Sequence, residues 1–170
     1  MKKNKQTIYR AKFLGFLLIS FAAIPAFGQD VSGYSDYLKA NDDSRLISLA
    51  TQINPNIYLR DNTDMKAHGN TTPTVVITDV ESIPLLYTDR ADFGNIELLK
   101  IRIDTPAEEA AKLDIKQLTA FSNLKYVLFE YQYNSCGDNK DACLQAKTVN
   151  KVNIPAGSTV KVFYLLSIPE

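Results

Sequence analysis

The chain has 170 residues, with 19 Lys and Arg against 19 Asp and Glu. Five of the basic residues (Lys2, Lys3, Lys5, Arg10 and Lys12) lie at the start, and every acidic residue follows position 29, so residues 29–170 carry 14 basic against 19 acidic groups. That excess of five negative charges argues against binding nucleic acid or anionic lipid through bulk electrostatics.

The basic start is followed by an apolar run, Phe13 to Ile24, and then by Pro25-Ala26-Phe27-Gly28. This order of basic, apolar and small residues predicts a signal peptide over 1–28, with cleavage between Gly28 and Gln29. A retained anchor needs about 20 apolar residues, and the uninterrupted run here is shorter and ends at a proline. No cysteine lies near the cleavage point for lipidation. The expectation is a bacterial protein, periplasmic or secreted, with no stable membrane anchor after cleavage and a single globular domain over 29–170. A length of that order supports one hydrophobic core.

Asn41 to Ser44 offers capping side chains, and Leu46, Leu49, Ala50 and Ile53 follow at helical spacing until Asn54-Pro55. This predicts a short amphipathic helix. Asn56 to Arg60 reads as a brief strand, Asp61 to Pro73 as a long polar loop holding His68, and Val75 to Ile77 as a β cluster. Pro84 makes Ser82 to Thr88 an edge or irregular segment.

Leu99, Ile101 and Ile103 alternate with Lys100 and Arg102, a half-buried strand. Thr105-Pro106-Ala107-Glu108 matches a helix opening, and Ala107, Ala111, Ile115, Leu118 and Phe121 continue the stripe. Val127, Phe129, Tyr131 and Tyr133 alternate again, so the segment predicts a βαβ unit with parallel strands. Thr148 to Ile154 and Thr159 to Leu166, joined by Pro155-Ala156-Gly157-Ser158, predict a C-terminal hairpin with a type I turn. The fold class expected is α/β or α+β, a mixed sheet of about five strands with about two helices.

Within this region Ile96, Leu99, Ile101 and Ile103 occupy an L-x-x-L-x-L-x-L frame, and Leu124, Val127, Phe129 and Tyr131 occupy it again 28 residues later. Residues 95–133 thus resemble a leucine-rich-repeat unit. Neither frame ends in the Asn or Cys of that family, and no third copy is read on either side, where a stacked solenoid needs three. The resemblance implies an interaction surface near Lys100, Arg102, Leu128 and Glu130.

Cys136 and Cys143 flank six polar, turn-prone residues; in an exported chain they predict a disulfide, since two cysteines and one distant His68 fall short of a four-ligand zinc site. A single histidine and no G-x-S-x-G elbow leave a Ser or Cys nucleophile without its usual setting. Neither a phosphate-cradling glycine loop nor a cofactor motif occurs. Glu108 and Glu109 are explained by a helix N-terminus, and Asp61 with Asp64, or Asp138 with Asp141, miss the calcium-loop pattern. Tyr131, Tyr133 and Tyr164 read as core; Tyr34, Tyr37 and Tyr87 read as the more exposed tyrosines. The reading preferred is a non-enzymatic binding module for a protein or cell-envelope component. The alternatives are a small secreted hydrolase using paired carboxylates on glycans, and an inhibitor or immunity-type protein.

Overall fold

Alternation of apolar and polar residues sets the architecture. The computed structural model describes residues 31–62, 64–69, 71–137 and 140–168; the leader and the Gly28–Gln29 junction lie outside these residues. Seven strands form one mixed sheet: β1 (Val31–Gly33), β2 (Asn56–Arg60), β3 (Asp64–His68), β4 (Val75–Thr78), β5 (Leu98–Ile103), β7 (Tyr126–Tyr131) and β9 (Lys161–Leu166). Their spatial order is β1-β9-β7-β5-β4-β2-β3. A second, two-stranded ladder pairs β6 (Leu113–Asp114) with β8 (Val152–Asn153) in parallel. Strands β2, β4, β5, β7 and β9 are therefore neighbours in chain order, and every one of these pairings is parallel. Strand β1 joins β9 in parallel, and β3 closes the other edge antiparallel to β2.

Because side chains alternate between sheet faces, the register sorts them into rows. On one face Ile57, Val76, Leu99, Val127 and Val162 lie side by side, followed by Leu59, Thr78, Ile101, Phe129 and Tyr164. Against them pack three 3-10 turns, Ile83–Tyr87, Ala91–Asn95 and Ile115–Gln117, and the helix α3 (Lys140–Lys151). Phe93 and Phe121 stack there with centroids 4.5 Å apart. The other face carries Val75, Leu98, Tyr126, Leu128 and Phe163 beneath α1 (Tyr34–Ala40) and α2 (Ser44–Thr51). Asp43 caps α2, accepting from the Leu46 amide at 3.0 Å. Leu46 and Leu49 are fully buried, each worth about 1.5–3 kcal/mol relative to exposure. Ile53, placed on that stripe by its spacing, is instead 105% exposed beyond the helix end.

Tyr34 also departs from expectation: it is 8% exposed and packs edge-on against Phe163. Its neighbour Gly33 runs so close to Tyr164 that a Cβ there would lie 3.3 Å from the hydroxyl. The mixed α/β class stands, but two of its expected units do not form. Residues 106–122 fold as 3-10 turns and the short β6, with no α-helix. Pro106 still opens a 3-10 turn, but the Thr105 side chain caps no amide, and Glu108 accepts instead from the Asp104 amide at 2.8 Å. Asp114 then diverts the backbone, accepting from Lys116 N at 3.1 Å and Gln117 Nε2 at 2.9 Å. Such local side-chain bonds compete with helix propagation.

The C-terminal hairpin is likewise absent: Thr148 to Lys151 belongs to α3, and β9 pairs in parallel with β7 and β1. Leu144, Thr148 and Lys151, four and three residues apart, form the buried side of that helix. The turn at Pro155 does form, with Ser158 N donating to Pro155 O at 3.0 Å. Gly157 sits at its third position with φ 80°, which suits a type II turn. Cys136 and Cys143 are bonded with Cα atoms 5.9 Å apart. The bridge ties the segment after β7 to the first turn of α3 instead of to a hairpin end. None of the helices among the described residues is long and apolar enough to cross a membrane.

Candidate functional site

Helices α1 and α2 cover Val75, Leu98, Tyr126, Leu128 and Phe163 on their sheet face, with Ile77 and Leu165 packed at the margin of that cluster. Toward the carboxyl ends of the strands the register sets out two rows: Tyr58, Ile77, Lys100 and Leu128, then Arg102, Glu130 and Leu165. Leu128 lies under the helices at 1% exposure and anchors the covered half, so it is not available to a partner. The remaining six are partly exposed. Of the residues marked by the repeat-like frame, the structure thus brings Lys100, Arg102 and Glu130 together as partly exposed neighbours, Lys100 and Glu130 only 17% and 16% exposed. Lys100 reaches the Ala50 carbonyl of α2 at 3.3 Å and lies 3.9 Å from Glu130.

Arg102 stands at the centre of the open half. It donates to the Tyr58 hydroxyl at 3.0 Å and to Asp104 at 3.1 Å. Burial alone would lower its pKa, but the Tyr58 hydrogen bond and the Asp104 charge outweigh it and the net direction is up. Arg102 is held as a fixed cation on a strand, which is more rigid than a loop placement. Tyr58, Ile77 and Leu165 were missed at the sequence level. Their strands were read, but without the neighbouring order of strands nothing assigned those residues to one face.

At the carboxyl ends of β2, β4 and β5 a hollow of about 160 Å³ adjoins this surface, lined by Tyr58, Arg60, Asp79, Glu81 and Arg102 among others. In open parallel sheets ligands favour this end. Three of its carboxylates, Asp79, Asp104 and Glu108, are engaged with backbone or with Arg102. Asp79 accepts from the Asp61 and Ser82 amides, both at 2.8 Å, and fastens the β2–β3 turn to β4. Glu108 accepts from Asp104 N and the Thr105 hydroxyl, and Asp104 faces Arg102. Asp61 and Asn62 take φ of 56° and 53°, the left-handed turn that makes a hairpin of the segment read as a long loop. His68 lies exposed on β3, paired in register with Asn56.

Two polar networks frame the site. Glu97 accepts from Arg45 Nε at 3.3 Å and Lys125 Nζ at 2.8 Å, with a second, shorter contact from the Arg45 fork. These bonds hold its pKa down at about 2. They clamp α2 to the entries of β5 and β7. Asp43 accepts from the Tyr126 hydroxyl at 3.1 Å and from Tyr37 at 3.2 Å. Burial would raise the Asp43 carboxyl, but the Leu46 amide and the two hydroxyls bring it below its ordinary value. Burial and the Asp43 bond push Tyr126 up to about 12.

Among the described residues no grouping of three or more His, Cys, Asp or Glu side chains suits a metal ion; Asp138 falls outside them. In comparison with known proteins, no family model, no curated protein and no solved structure matches the chain.

Proposed function

We propose that the protein is an exported, non-enzymatic binding module, periplasmic or secreted, which engages a protein or cell-envelope partner through the uncovered half of its sheet. The observation that carries this reading is the in-register patch of Tyr58, Ile77, Lys100, Arg102, Glu130 and Leu165 beside the covering helices. The patch mixes aromatic, aliphatic and charged groups and includes a fixed Arg and a Tyr, the residue types that dominate binding energy at interfaces. The disulfide supports an oxidising compartment.

The likeness to leucine-rich repeats is part of the same reading. Five parallel strands follow one another in chain order, and the frame positions Leu99 and Val127 share a row with Ile57, Val76 and Val162, which lie outside the two frames. This arrangement supports an irregular repeat whose connections lengthen along the chain. In such folds the strand face serves as the binding surface.

The test is quantitative capture from a cell-envelope extract of the native source by immobilised residues 29–170. Arg102→Glu combined with Tyr58→Ala should lose a stoichiometric partner that wild type and Lys140→Glu, altered on the exposed side of α3, both retain. Equal retention by all three proteins, or glycan turnover with no captured species, would contradict the proposal.

A further inference from the structure

A second feature lies on the opposite layer of the sheet. The 3-10 turn Pro106–Ala110 and the last turns of α3 leave a hollow of about 380 Å³ between them, lined by Glu109, Ala111, Lys112, Lys147, Asn150 and Lys151. Lys147 and Lys151 are four residues apart on α3 and so share one helix face. Among the lining residues three lysines thus meet one carboxylate, an excess of two positive charges within residues 29–170, which are otherwise acidic; Glu108 on the adjacent turn also acts on Lys151.

The hydrogen bonding in the hollow is incomplete. Lys151 is 4% exposed, and its Nζ donates to the Glu109 carbonyl. An ammonium has three N–H donors, and no second acceptor for Lys151 occurs among the described residues. Lys147 donates to Glu109 Oε1 at 2.7 Å and to the Ser135 carbonyl at 2.9 Å. The Tyr133 hydroxyl also donates to Glu109 Oε1, so that carboxylate is shared among several donors. Burial holds Lys151 below the ordinary lysine range, against the opposing charges of Glu109 and Glu108 and with Lys147 acting in the same sense. A buried cation with a single neutral acceptor is costly unless something further pairs with it.

We infer that this hollow is a binding site for a phosphate dianion, held by Lys112, Lys147 and Lys151 with the Asn150 amide at its rim. A dianion balances the two excess charges and supplies the acceptors that Lys151 lacks. A planar monoanion such as acetate balances only half of that charge. The site is independent of the proposed binding face and stands or falls without it.

The experiment is a titration of inorganic phosphate into isotope-labelled residues 29–170 at constant ionic strength, followed by amide chemical shifts. The expected result is saturable movement confined to residues 109–112 and 147–151, with a dissociation constant of about 1 mM. Acetate should bind at least about tenfold more weakly. Lys112→Gln, at an exposed position that should not disturb folding, should weaken phosphate binding about threefold to tenfold. Lys151→Met should abolish it; the Lys112 variant decides the matter if that protein does not fold. Shifts that fail to saturate, that spread equally to Lys39, Lys116 and Lys140, that acetate reproduces at the same midpoint, or that Lys112→Gln leaves unaltered would each overturn the assignment.

Discussion

Glu97 should make the attachment of α2 depend on acid. Its side chain is 16% exposed and joins Arg45 of α2 to Lys125 at the entry of β7. A carboxyl held at about 2 instead of 4.5 corresponds to at most roughly 3 kcal/mol. Arg45 and Lys125 are about half exposed, at 46% and 56%, so water and salt reduce this to about 1–2 kcal/mol. The folded-state value lies below the unfolded one, so the contribution is fully present above about pH 4.5 and disappears as pH falls toward 2. Glu97→Gln should therefore cost about 1–2 kcal/mol at pH 7 and almost nothing, relative to wild type, at pH 2. Urea unfolding followed by far-ultraviolet circular dichroism, at several values between pH 7 and pH 2, reads the difference directly; the chain has no tryptophan to report it. A gap between the two proteins that stays constant over that range, or one below about 0.3 kcal/mol at pH 7, would refute the reasoning.

Replacing both Cys136 and Cys143 by Ser should cost about 2.4 kcal/mol by loop closure over a separation of 7 residues, measured as a fall in the urea midpoint under non-reducing conditions. Leu99→Ala, at a fully buried position in the central strand, should cost about 2–5 kcal/mol, whereas Ile53→Ala should stay within about 0.5 kcal/mol. Among the described residues the buried Tyr34 hydroxyl has no hydrogen-bond partner; Tyr34→Phe should raise stability by about 1 kcal/mol, seen as a higher melting temperature. Deleting residues 161–166 should abolish cooperative unfolding, because β9 lies between β1 and β7 and its loss splits the sheet.

The strands were legible where alternation was clean. Leu99, Ile101 and Ile103 and then Val127, Phe129 and Tyr131 lie inside, with Lys100, Arg102 and Glu130 on the other face, as their period of two requires. The intervening segment was not, because Ile115, Leu118 and Phe121 at spacings of three fit 3-10 turns as well as an α-helix. The Asp114 turn decided between them, through its local bond from Gln117 and a contact with Asn153 that no local pattern reveals. Thr148 to Ile154 looked like a strand for its β-branched residues, yet burial of Leu144 and Thr148 on one side made Thr148 to Lys151 helical, and only Val152–Asn153 is strand. Tertiary packing outweighed propensity there.

The open patch was half legible. Lys100, Arg102 and Glu130 fall on it because one repeat-like frame set their direction. Tyr58, Ile77 and Leu165 needed the order of strands, which depends on long-range pairing. The spacings between successive row positions, Ile57, Val76, Leu99, Val127 and Val162, lengthen along the chain, so no fixed sequence period points to the row.

The proposed binding face is tested most directly by site-specific photocrosslinking in the native cells. p-Benzoylphenylalanine in place of Tyr58, on the open half of the sheet, should yield one discrete adduct on irradiation. The same group in place of Ile47, exposed at 36% on α2, should yield none. An adduct at position 47 with none at position 58, or no adduct at either, would contradict the account.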